Sequence, residues 1–93
     1  ICNAVAFMAA NGLLNGVRHT GNTVEMLKQR GGANYTGEAL YEERQAVRDG
    51  NVVTANGTGY LEFTRECLLA LKADTPDRIE ASYKFNKYGF CRQ

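Results

Sequence analysis

The chain of 93 residues lacks several features that would assign a function directly. Its formal net charge of +1 gives no electrostatic reason to expect nucleic acid or an anionic membrane as a partner. No apolar run approaches the length of a membrane-spanning helix, and no segment has the pattern of a signal peptide. Its glycine-rich turns lack the Walker A lysine and the Rossmann fingerprint. The sequence therefore predicts no membrane or nucleic-acid partner and indicates no cofactor.

Histidine and cysteine, which bind zinc and carry out nucleophilic catalysis, are also few. His19 is the single histidine, and the cysteines Cys2, Cys67 and Cys91 are widely spread. This spacing does not form a metal site. An odd number of dispersed cysteines favours free thiols in a reducing compartment, which predicts a cytoplasmic protein. We interpret Cys67 as a core residue and Cys91 as incidental.

The segment 49–63 organises the rest of the chain. Asp49-Gly50 is predicted to be a two-residue turn that pairs strand 45–48 with strand 51–54, because both central residues must tolerate positive φ. A glycine loop, defined here as residues 56–59, follows. From Tyr60 to about residue 73, apolar residues recur at helical spacing. A strand, a glycine-rich loop and a helix in this order are typical of an α/β sheet protein.

Further elements are predicted on both sides of this segment. Residues 3–14 are apolar almost all round, which predicts a helix covered on most sides. Asn22 and Glu25 have capping-box spacing, with Asn22 as the N-cap of a short helix that ends at residues 31–32. Thr75 caps a last helix that ends at Gly89. Residues 17–20 and 33–35 are short strand candidates, and Glu62 is assigned to the wet face of its helix.

The segment 48–55, together with Gly57-Thr58, Leu61-Glu62-Phe63 and Ile1-Cys2, resembles the C-terminal part of PfpI-type proteins. That family belongs to the class I glutamine amidotransferase-like superfamily, and the resemblance covers about three quarters of the chain. It implies the C-terminal part of a flavodoxin-like sheet sandwiched by helices, with a β hairpin. We therefore interpret residues 1–93 as part of a single domain whose N-terminal half is missing, since the strand expected before Cys2 is absent.

The resemblance identifies Cys2 with the nucleophile of a strand-to-helix elbow. A thiol at a helix N-terminus lies beside free N–H groups that favour the thiolate, and the N–H of Asn3 can hold the oxyanion of a tetrahedral intermediate. Judged on local pattern alone, Cys2 is better explained as a small apolar residue that begins a buried helix, and the resemblance reverses that order. Gly57 and Thr58 are a possible cleft loop, and Cys2 is predicted to lie beside it.

His19 is the only conventional base for a Cys–His pair, and it is predicted to lie within reach of Cys2. Many PfpI-type proteins have histidine where this chain has Asn3, and others have it at the position of Asn22. The segment His19-Thr20-Gly21-Asn22 resembles a branch of the family that has His-Thr-x-Asn at this place. A strand-end histidine bonded to the backbone explains His19 equally well. The family's acidic residue lies in its N-terminal half and has no match in this chain.

The resemblance leaves several functions open. The first is a cysteine-nucleophile hydrolase, an intracellular protease/amidase or glutamine amidotransferase-like protein that acts on a small-molecule or peptide substrate. A glyoxalase or deglycase would use the same thiol. A non-enzymatic redox stress-response protein is the alternative from another class, because exposed, easily ionised thiols are readily oxidised. Relatives of this kind are often oligomeric, so a homodimer is expected.

Overall fold

Helices flank a single antiparallel hairpin in the part of the chain that the computed structural model describes, residues 1–90. Cys91 lies outside the described residues. In chain order the elements are α1 (Asn3–Ala10), α2 (Val24–Gly31), β1 (Ala46–Asp49), β2 (Val52–Ala55), α3 (Tyr60–Leu71) and α4 (Pro76–Tyr88), with short 3₁₀ turns at Gly32–Asn34 and Glu38–Leu40. None of the helices within residues 1–90 is long and apolar enough to cross a bilayer.

The first helix is shorter than predicted. It ends at Ala10, and residues 11–16 form turns because Gly12 has a φ of +71°, a left-handed conformation that ends a helix. Helix α1 is also less buried than predicted, because Val5 and Ala9 are buried whereas Phe7 is 65% exposed. Helix α1 packs on α2. The buried core between them consists of Val5, Ala9, Leu14, Leu27 and Tyr35.

The hairpin forms, but its register differs by one residue from the prediction. Asp49 pairs with Val52, so Gly50 and Asn51 are the central residues of the turn. Gly50 has a φ of +61°, whereas Asn51 does not have positive φ. This pattern fits a type II′ turn, which needs glycine only at its first central position. Asp49 therefore belongs to β1, and its carboxylate accepts a hydrogen bond from the Arg18 N–H at 2.9 Å.

The two short strand predictions were wrong. Residues 33–35 belong mainly to a 3₁₀ turn at Gly32–Asn34. In the segment 17–20, only His19 makes a bridge, a parallel one with Tyr41. The next residue, Thr20, meets β2 through a side chain, since its N–H donates to Thr54 Oγ1 at 2.9 Å. This segment is thus tied to its neighbours by single contacts and does not form a continuous ladder.

The two last helices meet at a polar cluster centred on Glu62. Thr75 and Gly89 cap α4 as predicted, and α3 begins at Tyr60. Glu62 was wrongly assigned to the wet face, because it is only 6% exposed. Its Oε2 accepts hydrogen bonds from Tyr83 and Lys87, both at 2.6 Å. Helix α4 covers this side of α3, which amphipathic spacing within α3 could not indicate.

Candidate functional site

The site is built around the backbone of Cys2, which is the N-cap of α1. Cys2 has φ 56° and ψ −119°, a conformation that non-glycine residues rarely adopt. Its N–H donates to the Ala55 carbonyl at 3.3 Å, and its carbonyl accepts from the Val5 N–H at 3.0 Å. The strained residue is therefore held from both sides, by the end of β2 and by the first turn of α1. Its thiol is free and partly exposed.

An asparagine connects this thiol to the glycine loop. Asn22 Nδ2 lies 3.9 Å from Cys2 Sγ, and Asn22 Oδ1 accepts from the Gly57 N–H at 2.7 Å. A Cβ atom added to Gly57 would lie 3.7 Å from Sγ. These distances confirm the prediction that Cys2 lies at the N-terminus of α1 beside the glycine loop.

Asn22 was expected to be the N-cap of α2, and this prediction was wrong. The N-cap is Thr23, whose hydroxyl accepts from the Met26 N–H at 3.0 Å. Because Thr23 caps the helix, the Asn22 side chain is free to reach across to the Cys2 thiol and to Gly57. Sequence reasoning noted Asn22 as the position of a histidine in some relatives, and that correspondence was the available signal for its place in the site.

Hydrogen bonds among its own residues and to Gln45 stabilise the glycine loop. The Thr58 N–H donates to Asn56 Oδ1 at 3.0 Å, and the Thr58 hydroxyl lies 2.8 Å from the same oxygen. Asn56 Nδ2 in turn donates to Gln45 Oε1 at 2.7 Å. A Cβ atom on Gly59 would collide with the backbone carbonyl oxygen of Gln45. Of the two predicted loop residues, Gly57 faces the thiol, whereas Thr58 hydrogen-bonds Asn56 within the loop and Gln45 outside it.

Asn3 is the first residue of α1, and its side chain is exposed. A backbone N–H at this position has no acceptor within its own helix. It adjoins the thiol in the chain and can therefore donate to an oxygen that develops negative charge there. The oxyanion role of Asn3 stays a prediction.

His19 is enclosed and is not joined to the thiol. It is fully buried, with Nδ1 2.8 Å from the Val17 carbonyl oxygen and Nε2 2.7 Å from Tyr35 Oη. The rings of Tyr35 and Tyr41 meet it edge-on, at centroid distances of 5.6 and 5.9 Å. Both ring nitrogens thus have partners other than Cys2. The expected His19–Cys2 contact does not occur within residues 1–90, and a catalytic role for His19 stays a prediction without geometric support.

The partners of His19 also fix its proton positions. A carbonyl can only accept, so Nδ1 carries the proton that is donated to Val17. In the neutral ring, Nε2 is then the acceptor of the Tyr35 hydroxyl proton. Burial, followed by the charge of Glu38, raises the pKa of Tyr35 to about 12, which keeps this hydroxyl a donor at neutral pH. The lone pair that a base would need is therefore occupied.

No hydrogen bond seen within residues 1–90 joins the Cys67 thiol to this cluster. Cys67 is half-buried on α3, and burial raises the pKa of its thiol. Within residues 1–90, no group of three or more histidine, cysteine, aspartate or glutamate side chains could hold a metal ion. The chemistry available at the site is therefore that of one partly exposed thiol, one amide and the N–H groups of a helix start.

Known proteins share both the sequence and the fold of this chain. It is 49% identical over 90 residues to a Bacillus subtilis protein named as the uncharacterized protease YdeA, covering 97% of this chain and 45% of that protein. It is 41% identical over 87 residues to another protein of that bacterium, the uncharacterized protease YoaZ, covering 94% and 41% of the two chains. The chain thus spans less than half the length of these relatives.

Two solved structures are also similar. A thiJ/pfpI family protein from Bacillus anthracis matches with a TM-score of 0.88 and 40% identity, over 92% of this chain and 40% of that one. A DJ-1 superfamily protein from Agrobacterium tumefaciens matches with a TM-score of 0.81 and 37% identity, over 91% and 44% of the two chains. The fold is α/β and flavodoxin-like, as these neighbours are.

The model of the DJ-1/PfpI family matches residues 1–70. That range begins one residue before Cys2 and runs through the glycine loop into α3, so it contains every residue of the site described above. With relatives of 41–49% identity over nearly its whole length, this chain belongs to the DJ-1/PfpI family.

Proposed function

We propose that this chain supplies the nucleophile of a cysteine-dependent hydrolase that cleaves amide or peptide bonds. The observation that carries the proposal is the conformation of Cys2, a strained N-cap whose thiol is partly exposed beside the first N–H groups of α1. Strained backbone at a free thiol is typical of functional sites. The names of two relatives as uncharacterized proteases also support it.

In this mechanism Cys2 Sγ, as the thiolate, attacks the substrate carbonyl carbon, and an S–C bond forms. The Asn3 N–H donates to the oxyanion that results. The C–N bond then breaks, the leaving amine takes a proton from water, and a thioester remains. Water or hydroxide cleaves the thioester, which releases the acid and returns the thiolate. The sum of these steps is hydrolysis of one amide bond by one water molecule.

General acid–base assistance of these proton transfers needs a group other than His19, whose two nitrogens are occupied. The chain spans less than half the length of its curated relatives. We therefore propose that it is the C-terminal part of a longer cytoplasmic protein, whose remaining part supplies the acid–base residue. An intact mass of the natural protein well above 10.3 kDa is the expected result, and a mass equal to that value would contradict this part of the proposal.

The decisive experiment compares Cys2→Ala with Cys67→Ala in the complete protein. Turnover of a panel of amide and peptide substrates should fall about a thousandfold or more in Cys2→Ala, because the covalent intermediate cannot form. Cys67→Ala removes a thiol outside the site and should retain most of the turnover. Unchanged turnover in a clean preparation of Cys2→Ala would overturn the hydrolase proposal.

A redox-sensing role is the second candidate, and the amide beside the thiol favours it. An amide donor can stabilise a thiolate, but it cannot act as the base that removes the proton from the thiol. Oxidation by a peroxide needs only the thiolate: an S–O bond forms, the O–O bond breaks, and hydroxide leaves. Mass spectrometry after mild peroxide treatment should then show selective oxidation of Cys2 over Cys67. Selective oxidation in a protein without measurable turnover would favour this role over hydrolysis.

A further inference from the structure

We propose that Asn22 is a positioning residue for the Cys2 thiolate. In this role its amide donates a hydrogen bond to Sγ while its carbonyl oxygen anchors the glycine loop at Gly57. The inference assigns a new residue to the site of the proposed function and rests on that function for its catalytic meaning. The hydrogen bond itself can be tested without any substrate.

The orientation of the Asn22 amide follows from its partner in the glycine loop. The Gly57 N–H can only donate, so the atom 2.7 Å from it must be the oxygen Oδ1. The nitrogen Nδ2 is then the atom directed at Sγ, 3.9 Å away. Sulfur is larger than oxygen, so its hydrogen bonds are longer. The short bond to the glycine loop therefore excludes the flipped amide and fixes a donor on the thiol.

A donor at this position acts on the thiolate more than on the thiol. Hydrogen bonds to an ionised acceptor are stronger than those between neutral groups. The other hydrogen-bond partners seen at Cys2 are backbone groups, the Ala55 carbonyl and the N–H groups of the first turn of α1. Asn22 is the one side chain seen to hydrogen-bond Sγ within residues 1–90.

The two halves of the Asn22 bridge can be separated by mutation. Asn22→Asp keeps an oxygen that can accept from Gly57 but replaces the donor at Sγ with a second oxygen. Asn22→Leu removes both hydrogen bonds and introduces no charge. A general effect of replacing asparagine by leucine is controlled by Asn86→Leu, because Asn86 is exposed on α4 and bonds only locally, to the Ser82 carbonyl.

The experiment measures the rate at which iodoacetamide alkylates Cys2 in the folded complete protein, with Cys67 followed in the same mass spectra as an internal reference. We expect Asn22→Leu to slow Cys2 alkylation about tenfold, as loss of one hydrogen bond to a charged group implies. Asn22→Asp should slow it more, because its carboxylate also repels the thiolate. Neither variant should change the rate at Cys67, and Asn86→Leu should leave both rates unchanged.

Two outcomes overturn the proposal. The first is that Asn22→Leu alkylates as fast as the unmodified protein. The second is that only Asn22→Asp is slowed, which would attribute the effect to charge alone. Unfolding midpoints of both variants, followed by circular dichroism, establish that Cys2 is compared in folded protein. If amide hydrolysis is never found but Asn22→Leu slows alkylation, the positioning role holds and only the hydrolase proposal fails.

Discussion

Cys2 and His19 are the two residues that the sequence predicts as a catalytic pair, and the fold places them in opposite environments. His19 is fully buried, and both of its ring nitrogens have close partners. Cys2 is partly exposed in a strained backbone conformation, with one long hydrogen bond to Sγ. The comparison shows that a reactive residue type is not sufficient for a site. A reactive side chain must also keep an electron pair that no neighbour occupies.

A glycine near each of these two residues shows the same difference between an enclosed and an accessible side chain. A Cβ atom on Gly37 would lie 2.7 Å from the Leu14 carbonyl oxygen and 3.2 Å from His19 Cε1, so this glycine allows the chain to close over the imidazole. A Cβ atom on Gly57 would lie 3.7 Å from Cys2 Sγ, which is ordinary contact distance. The first glycine closes the histidine pocket, and the second leaves space beside the thiol.

Among the substitutions that test this comparison, Gly37→Ala is expected to reduce stability most. The added methyl group would collide with backbone atoms that cannot move independently, so we expect the free energy of unfolding to fall by about 3 kcal/mol. Urea unfolding followed by circular dichroism measures the change. Gly16→Ala is the matched control, because a Cβ atom there meets nothing within 4 Å and should be nearly neutral. Equal stability of both variants would contradict the tight closure over His19.

Tyr35→Phe is expected to cause a smaller loss of stability. This change removes the hydrogen bond to His19 Nε2 inside the core, which should reduce the free energy of unfolding by about 1–2 kcal/mol at neutral pH. Cys2 alkylation should keep its rate if the two regions are as separate as the geometry indicates. A change in that rate larger than about twofold would show that the histidine pocket influences the thiol.

Tyr35 also predicts how stability depends on alkaline pH. Its pKa is about 12 in the folded chain, above the usual 10.0, so the unfolded chain loses the proton first. The contribution of neutral Tyr35 to stability is complete below pH 10 and is lost as pH rises toward 12. Thermal unfolding between these pH values should therefore show a steeper decline in the unmodified protein than in Tyr35→Phe. Parallel declines would contradict the enclosed hydroxyl.

Glu62 extends the comparison to a side chain that is buried and also charged. Burial alone would raise its pKa, but hydrogen bonds from Lys87 and Tyr83 outweigh burial and hold the pKa below its usual 4.5. A lowered pKa contributes stability that is present above pH 4.5 and lost as pH falls through the folded-state value. Glu62→Gln should therefore lose less stability on acidification than the unmodified protein. An identical acid profile would contradict this role.

The smallest effect on stability is expected from Gly57→Ala. The new methyl group finds ordinary contact distances, and no positive φ is recorded for Gly57, so the unfolding free energy should change by less than about 0.5 kcal/mol. Its effect on access should be larger, because the methyl group would lie beside Sγ. Alkylation of Cys2 by a bulky maleimide should slow more than alkylation by iodoacetamide. Equal slowing of both reagents would show that the glycine does not control access to the thiol.

The sequence predicted the parts of this molecule that depend on local chemistry. Thr75 and Gly89 bound α4 as expected, and Cys2 begins α1 beside the glycine loop. Contacts between distant segments were not predictable in the same way. Helical spacing gave Glu62 an exposed face, because nothing in α3 itself shows that α4 covers it. The capping-box pattern at Asn22 likewise could not reveal that Thr23 would cap α2 instead.

The hydrogen bonds around Cys2 join three segments that are far apart in the chain. Its N–H is bound at Ala55, and its sulfur is linked through Asn22 to Gly57. Thermodynamic linkage makes such coupling reciprocal. If oxidation or acylation of the sulfur changes the stability of the glycine loop, then loosening that loop must change the free energy of the same modification. The chemical state of a single atom can in this way be read out as a shift in the melting temperature of the whole domain.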